Sequence, residues 1–130
     1  MLVAGLVLAA LAAVLHVFIF VLESIAWLGP RARATFGTSP SEAAATKELA
    51  FNQGFYNLFL AVAVGLGITV TAAGSPAVGL TLVFTGIGSM LAASLVLVLA
   101  NRARAAAALT QGTLPLLSTV LLTVALLTAH

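Results

Sequence analysis

Four long apolar segments occupy most of this 130-residue chain, and they leave it few folds to choose from. Inside hydrocarbon no water pairs with a free backbone N–H or C=O, so only helices or closed barrels satisfy every such group. Crossing the core of a bilayer takes about 20 apolar residues in helical form. Segments of that kind cover residues 2–28, 49–73, 78–100 and 113–129. Only 6% of the residues are charged and 62% are hydrophobic. A water-soluble domain carries roughly 25% charged residues, so this chain lacks the polar surface to face water. The expectation is a single all-α domain over residues 1–130, with four transmembrane helices in an antiparallel bundle.

The connections refine that reading. Residues 39 to 42 read Ser-Pro-Ser-Glu, a capping box with Ser39 at the N-cap, Pro40 at N1 and Glu42 at N3. The second helix is therefore expected to begin near Pro40 and to run over about 40–73, its start protruding from the membrane. The segment over 2–28 lacks a basic stretch before its apolar run and is far longer than the apolar part of a signal peptide. It reads as a retained helix. All five basic residues fall in two connections: Arg31, Arg33 and Lys47 in the first, Arg102 and Arg104 in the third. The positive-inside rule then places both connections in the cytoplasm and both termini on the outer side. With five basic and three acidic residues, no footprint for nucleic acid is expected. The absence of Cys excludes disulfides and thiolate metal sites.

Against this background a few polar residues stand out. His16 and Glu23 are separated by seven positions on the first helix, close to two full turns, so they share a face. Asn52, Gln53, Tyr56 and Asn57 share one arc of the second helix. Glu23 lies five residues before Leu28 and Asn52 lies five after Lys47. Each is then roughly 7–8 Å inside its own end, and His16 and Asn57 are about 18 and 15 Å in. Glu23 is expected to face Asn52, Gln53 or Tyr56, with His16 near the level of Asn57. Ionisable groups within a membrane are costly and mark functional sites by default. A carboxyl group and an imidazole can each hold and release a proton, and carboxamides and a phenol can hydrogen-bond what they hold.

The function expected from this cluster is binding or passage of a small polar solute, a cation or a proton. Trp27, Asn101 and Gln111 are secondary candidates at the mouth of the site. Two alternatives stay open. One is a membrane-embedded enzyme or redox accessory acting on a lipid-soluble substrate, with His16 or Glu23 as acid–base groups. The other is a structural or interaction protein in which the polar groups are helix glue. No catalytic residue is assigned. His16 and Glu23 are too far apart to chelate one ion, and one His with one carboxylate is too few for zinc, so neither a metal nor a cofactor is expected. The expected partners are the lipid bilayer, a small polar ligand or cation and, if the chain transports, a second copy forming a homodimer. His130 is read as solvated.

The same residues carry a family resemblance. His16, Glu23, Trp27, Pro30 and Arg31, then Phe36 and Gly37, then Lys47 and the run Asn52-Gln53-Gly54-Phe55-Tyr56-Asn57, resemble the bacterial small membrane proteins known as domain of unknown function 1304. Gln111, Gly112 and Pro115 at the start of the fourth segment match as well. The resemblance spans essentially the whole chain. It implies a four-helix integral protein of the bacterial inner membrane and implies no reaction.

Overall fold

Helices account for nearly all of the computed structural model, which describes residues 1–129; His130 lies outside them. In chain order the helices are α1 (Leu2–Phe20), continued by a π-helical turn (Val21–Ile25), then α2 (Pro30–Phe36), α3 (Pro40–Ala45), α4 (Lys47–Ala72), α5 (Pro76–Ala100), a 3-10 turn (Arg102–Arg104) and α6 (Ala105–Leu127). Four stretches are long and apolar enough to cross a membrane: Leu2–Ile25, Lys47–Ala72, Pro76–Ala100 and Arg102–Leu127. Large apolar side chains cover their outer faces, among them Val3, Val14, Leu66, Val96 and Leu127. So much exposed apolar surface is foreign to a soluble monomer and points to a multi-pass membrane protein.

The helices pack as a ring. α1 lies against α4 and α6, α5 lies against the same two, and α1 and α5 barely touch across the diagonal. Successive spans run antiparallel, as the contacts of Glu23 with Asn57, Gly67 with Gly79 and Gly112 with Ser94 require. The centre is filled by Ala9, Ala12, Val64, Val83, Ile87, Met90 and Leu122. Small residues bring the backbones together, as expected where lipid supplies no hydrophobic drive between helices. A Cβ on Gly67 would sit 2.6 Å from the carbonyl oxygen of Gly79, so α4 and α5 cross with backbone in contact. Between α6 and α1, the buried Ser118 hydroxyl donates to the Gly5 carbonyl at 2.8 Å.

The helix ends follow local chemistry. The capping box is present: Ser39 Oγ accepts from the Glu42 N–H at 3.2 Å, and Glu42 Oε2 accepts from the Ser39 N–H at 2.7 Å. Gly37 ends α2 at φ 65°, and Gly74 turns α4 toward α5 at φ 94°; glycine enters this left-handed region without steric cost.

Three boundaries differ from the sequence expectation. The first helix was expected to reach residue 28, but its regular hydrogen bonding stops with the π-turn at Ile25. The second was expected to be continuous from Pro40, but it breaks at Thr46. There the Thr46 hydroxyl and the Thr46 N–H both bond the Glu42 carbonyl, at 2.7 and 3.0 Å. Such local side-chain bonds compete with regular helix. The fourth was expected from about residue 113 but opens at Ala105, eight residues earlier. The run of four alanines from Ala105 is strongly helix-forming. Gly112 does not interrupt it, because a Cβ there would strike Ser94 on α5, and the glycine serves close packing.

Candidate functional site

The bundle has two ends. One carries the turn at residues 73–75, and the other carries the longer connections at residues 26–46 and 101–104. The candidate site lies toward the second, here termed the loop end. Its centre is the π-turn. The Ala26 N–H reaches back five residues to the Val21 carbonyl at 2.9 Å, one more than an α-helix allows. No residue type in Val21–Ile25 demands this wide turn, and contacts with α4 hold it. Ser24 Oγ donates to the Phe51 carbonyl at 2.8 Å. Gly54 of α4 lies against both neighbours: a Cβ there would collide with Ser24 Oγ and come within 3.1 Å of Glu23 Cβ. The turn is thereby pressed flat onto α4, with Glu23 and Ser24 both facing it.

Glu23 is 9% exposed. Its Oε2 accepts from Asn57 Nδ2 at 2.7 Å, and the same Asn57 amide nitrogen reaches the Gln53 carbonyl one turn back at 3.2 Å. Among the described residues no hydrogen bond engages Glu23 Oε1. Glu23 also lines a cavity of about 170 Å³, together with Ser24, Trp27, Gly29, Lys47 and Phe51. By the roughly 10–15 Å³ that each water needs, it has room for several. Trp27 closes the loop side: its Nε1–H donates to the Ala43 carbonyl at 2.9 Å, and its ring packs on Phe36 with centroids 5.3 Å apart. An aromatic ladder flanks the pair. Phe20 meets Phe55 edge-on at 5.0 Å, and Phe51 and Phe59 continue the row along α4 at 5.1 and 6.2 Å from Phe55.

The partner of Glu23 is thus Asn57, not Asn52, Gln53 or Tyr56. Those three side chains are exposed on the outer flank of α4, Tyr56 at 64%. The depth count went astray at its reference points. Glu23 is only two residues from the end of its span at Ile25, whereas Asn57 is ten from the start of α4 at Lys47. The difference makes α4 overhang the first span by about 12 Å at the loop end. His16 moves out of the cluster for the same reason. It is seven residues deeper than Glu23, about 10 Å, level with the apolar stretch of α4. There it is 2% exposed, and its Nδ1 lies 2.9 Å from the Ala12 carbonyl of its own helix. No hydrogen bond links it to Glu23 among the described residues.

The secondary candidates separate as well. Trp27 lines the Glu23 cavity. Asn101 is exposed, and its Oδ1 accepts from the Ala103 N–H at 3.0 Å, capping the 3-10 turn. Gln111 lines a different cavity, between α1 and α6.

Sequence reasoning missed Ser24, Lys47 and Gly54 as parts of the site. Lys47 was read as a loop charge, although it lines the same cavity as Glu23 and the chain that follows the first span. Gly54 sat in plain view between Gln53 and Phe55. A glycine amid polar residues on a membrane helix was the available signal for close approach.

The family model described as "Protein of unknown function (DUF1304)" matches residues 10–123. The chain belongs to this family. No curated protein and no solved structure matches it. The match reaches from α1 into α6, so it includes Glu23, Gly54 and Asn57 together with both cavities.

Proposed function

We propose that this member of the family resides in the bacterial inner membrane, with both termini outside, and binds or passes a small polar solute, cation or proton at Glu23. The observation that carries this reading is a buried Glu23 whose carboxyl group has a single described hydrogen-bond donor, in a residue that lines a cavity together with Lys47. A buried carboxyl group without full hydrogen bonding is costly to keep, and helix packing alone gives no reason for a cavity beside it. Lys47 narrows the choice. It is an exposed residue that lines the cavity, and its positive charge disfavours a bare metal cation there. A proton, or a solute with hydrogen-bonding groups at both ends, suits Glu23 and Lys47 together. His16 has no part in this reading.

The test uses purified protein in vesicles carrying an internal pH dye. Under an imposed proton gradient, wild type should collapse the gradient faster than Glu23→Gln or Lys47→Met. Equal rates for all three, with no shift in melting temperature across a panel of small polar solutes, would remove the proposal.

The outward arc of α4 supports a second, compatible reading, in which the chain forms a homodimer. Asn52, Gln53 and Tyr56 are exposed on one flank. A carboxamide both donates and accepts, so the same arc on a second copy complements it about a two-fold axis. The chain has no Cys, so Gln53→Cys should form a disulfide-linked dimer in membranes, and Leu66→Cys on the bare apolar part of the helix serves as control.

A further inference from the structure

A second cavity, of about 280 Å³, lies between α1 and α6 at the loop end, on a different side of the first span from Glu23 and α4. Its walls include Leu15 and Ile19 from α1, Leu22 from the π-turn, Phe36 from α2, and Ala107 and Gln111 from α6. Phe18 and Thr110 also border it and are exposed on the outer surface of the bundle, so the slot opens sideways. Its inner part is hydrocarbon. Its loop end is cationic. The Arg31 guanidinium stands 5.5 Å from the centre of the Phe18 ring. An Arg104 guanidinium nitrogen lies 3.7 Å from where a Cβ on Gly37 would be, next to Phe36. Glu42 is close enough to Arg104 to interact with its charge and offsets part of it. Arg33, between these groups in sequence, has a buried Nε without a partner. Gln111 makes no side-chain hydrogen bond to another described residue, and its Cα lies about 10 Å along the helix from Arg104.

We infer that this slot is a binding site for an anionic phospholipid. One acyl chain lies along Leu15, Ile19 and Leu22, and the phosphate meets Arg31 and Arg104. The Gln111 carboxamide bonds oxygen at the glycerol-ester level. The arrangement separates a lipid from a soluble anion: free phosphate would use the arginines and leave the apolar walls uncovered. Basic pockets between transmembrane helices are known to take anionic headgroups. The slot is separate from the Glu23 cavity, and the inference does not depend on what Glu23 binds.

The experiment is retention of lipid by purified protein, read by native mass spectrometry. Phosphatidylglycerol and phosphatidylcholine with identical chains are compared, with inorganic phosphate as a third arm. Phosphatidylglycerol should remain bound and raise the melting temperature, and phosphatidylcholine and phosphate should do neither. Arg31→Gln with Arg104→Gln should weaken retention on the order of thirty-fold. Ala107→Phe, which fills the slot and leaves the arginines, should also abolish retention while melting like wild type in lipid-free detergent. Equal retention of the two lipids in wild type would overturn the inference, and this comparison stands even if a variant fails to fold. An equal shift with phosphate alone would overturn it too, as would unchanged retention in a folded Ala107→Phe protein.

Discussion

Asn57 of α4 donates to the Glu23 carboxyl group of the π-turn across 2.7 Å, joining two helices at positions 34 residues apart in sequence. The bond ties the first span to α4 and gives the buried Glu23 carboxyl group a donor. Breaking it from either side should have different consequences. Asn57→Leu leaves Glu23 buried without its donor and should cost about 1–3 kcal/mol. Glu23→Gln keeps a carboxamide oxygen able to accept from Asn57 and should cost less. Thermal unfolding in one detergent measures both, and a double-mutant cycle isolates the pair. Equal losses would mean that the bond contributes little.

Gly54 and Gly65 offer a paired test on one helix. A methyl group at Gly54 would collide with Ser24 and crowd Glu23, whereas a Cβ on Gly65 meets nothing within 4 Å. Gly54→Ala should destabilise the protein by about 1–3 kcal/mol, the usual cost of overpacking, and should disturb the site. Gly65→Ala should be neutral or stabilising by up to about 1 kcal/mol through helix propensity. The melting temperatures should move in opposite directions or differ clearly. A harmless Gly54→Ala would show that α4 and the π-turn are not in close contact.

The proposed orientation, argued from the placement of the basic residues, can be tested directly. Ser75 in the short turn and Ser41 in the basic connection are both exposed. With no Cys in the parent, Ser75→Cys should react with an impermeant reagent added to intact cells, and Ser41→Cys only after lysis. The reverse pattern would invert the assignment.

Glu42 predicts a small pH dependence outside the membrane. Hydrogen bonds from the Ser39 backbone N–H and hydroxyl, and more weakly the charge of Arg104, hold its carboxyl below the ordinary value of 4.5. A folded pKa below the unfolded one means that the charged form favours the folded state. The stabilisation is complete above the unfolded value and is lost as pH falls through the folded one. The stability difference between wild type and Glu42→Gln should therefore be constant near neutrality, shrink below pH 4.5 and then vanish. A difference that persists in acid would assign Glu42 a role other than capping.

The fold class was legible in the sequence because lipid imposes it. Four apolar segments of spanning length admit helices and little else, and the turn at Gly74 and the box at Ser39 are local chemistry readable from a few residues. That Glu23 is a candidate was legible for a similar reason, since a carboxyl group on an apolar helix is costly wherever it points. Its partner was not. Whether Glu23 meets Asn52 or Asn57 depends on how far α4 slides along α1. That offset goes with the break at Thr46, the end of the first span at Ile25 and the fit of Gly54 against Ser24. Each involves residues distant in sequence, and a shift of one turn changes no local propensity. The π-turn belongs with the offset: it persists because α4 holds it, and no pattern in Val21–Ile25 announces it. The exposed flank at Asn52, Gln53 and Tyr56 and the slot between α1 and α6 arise in the same way. Sequence decides which residues are expensive to bury, and tertiary packing decides which neighbours they acquire.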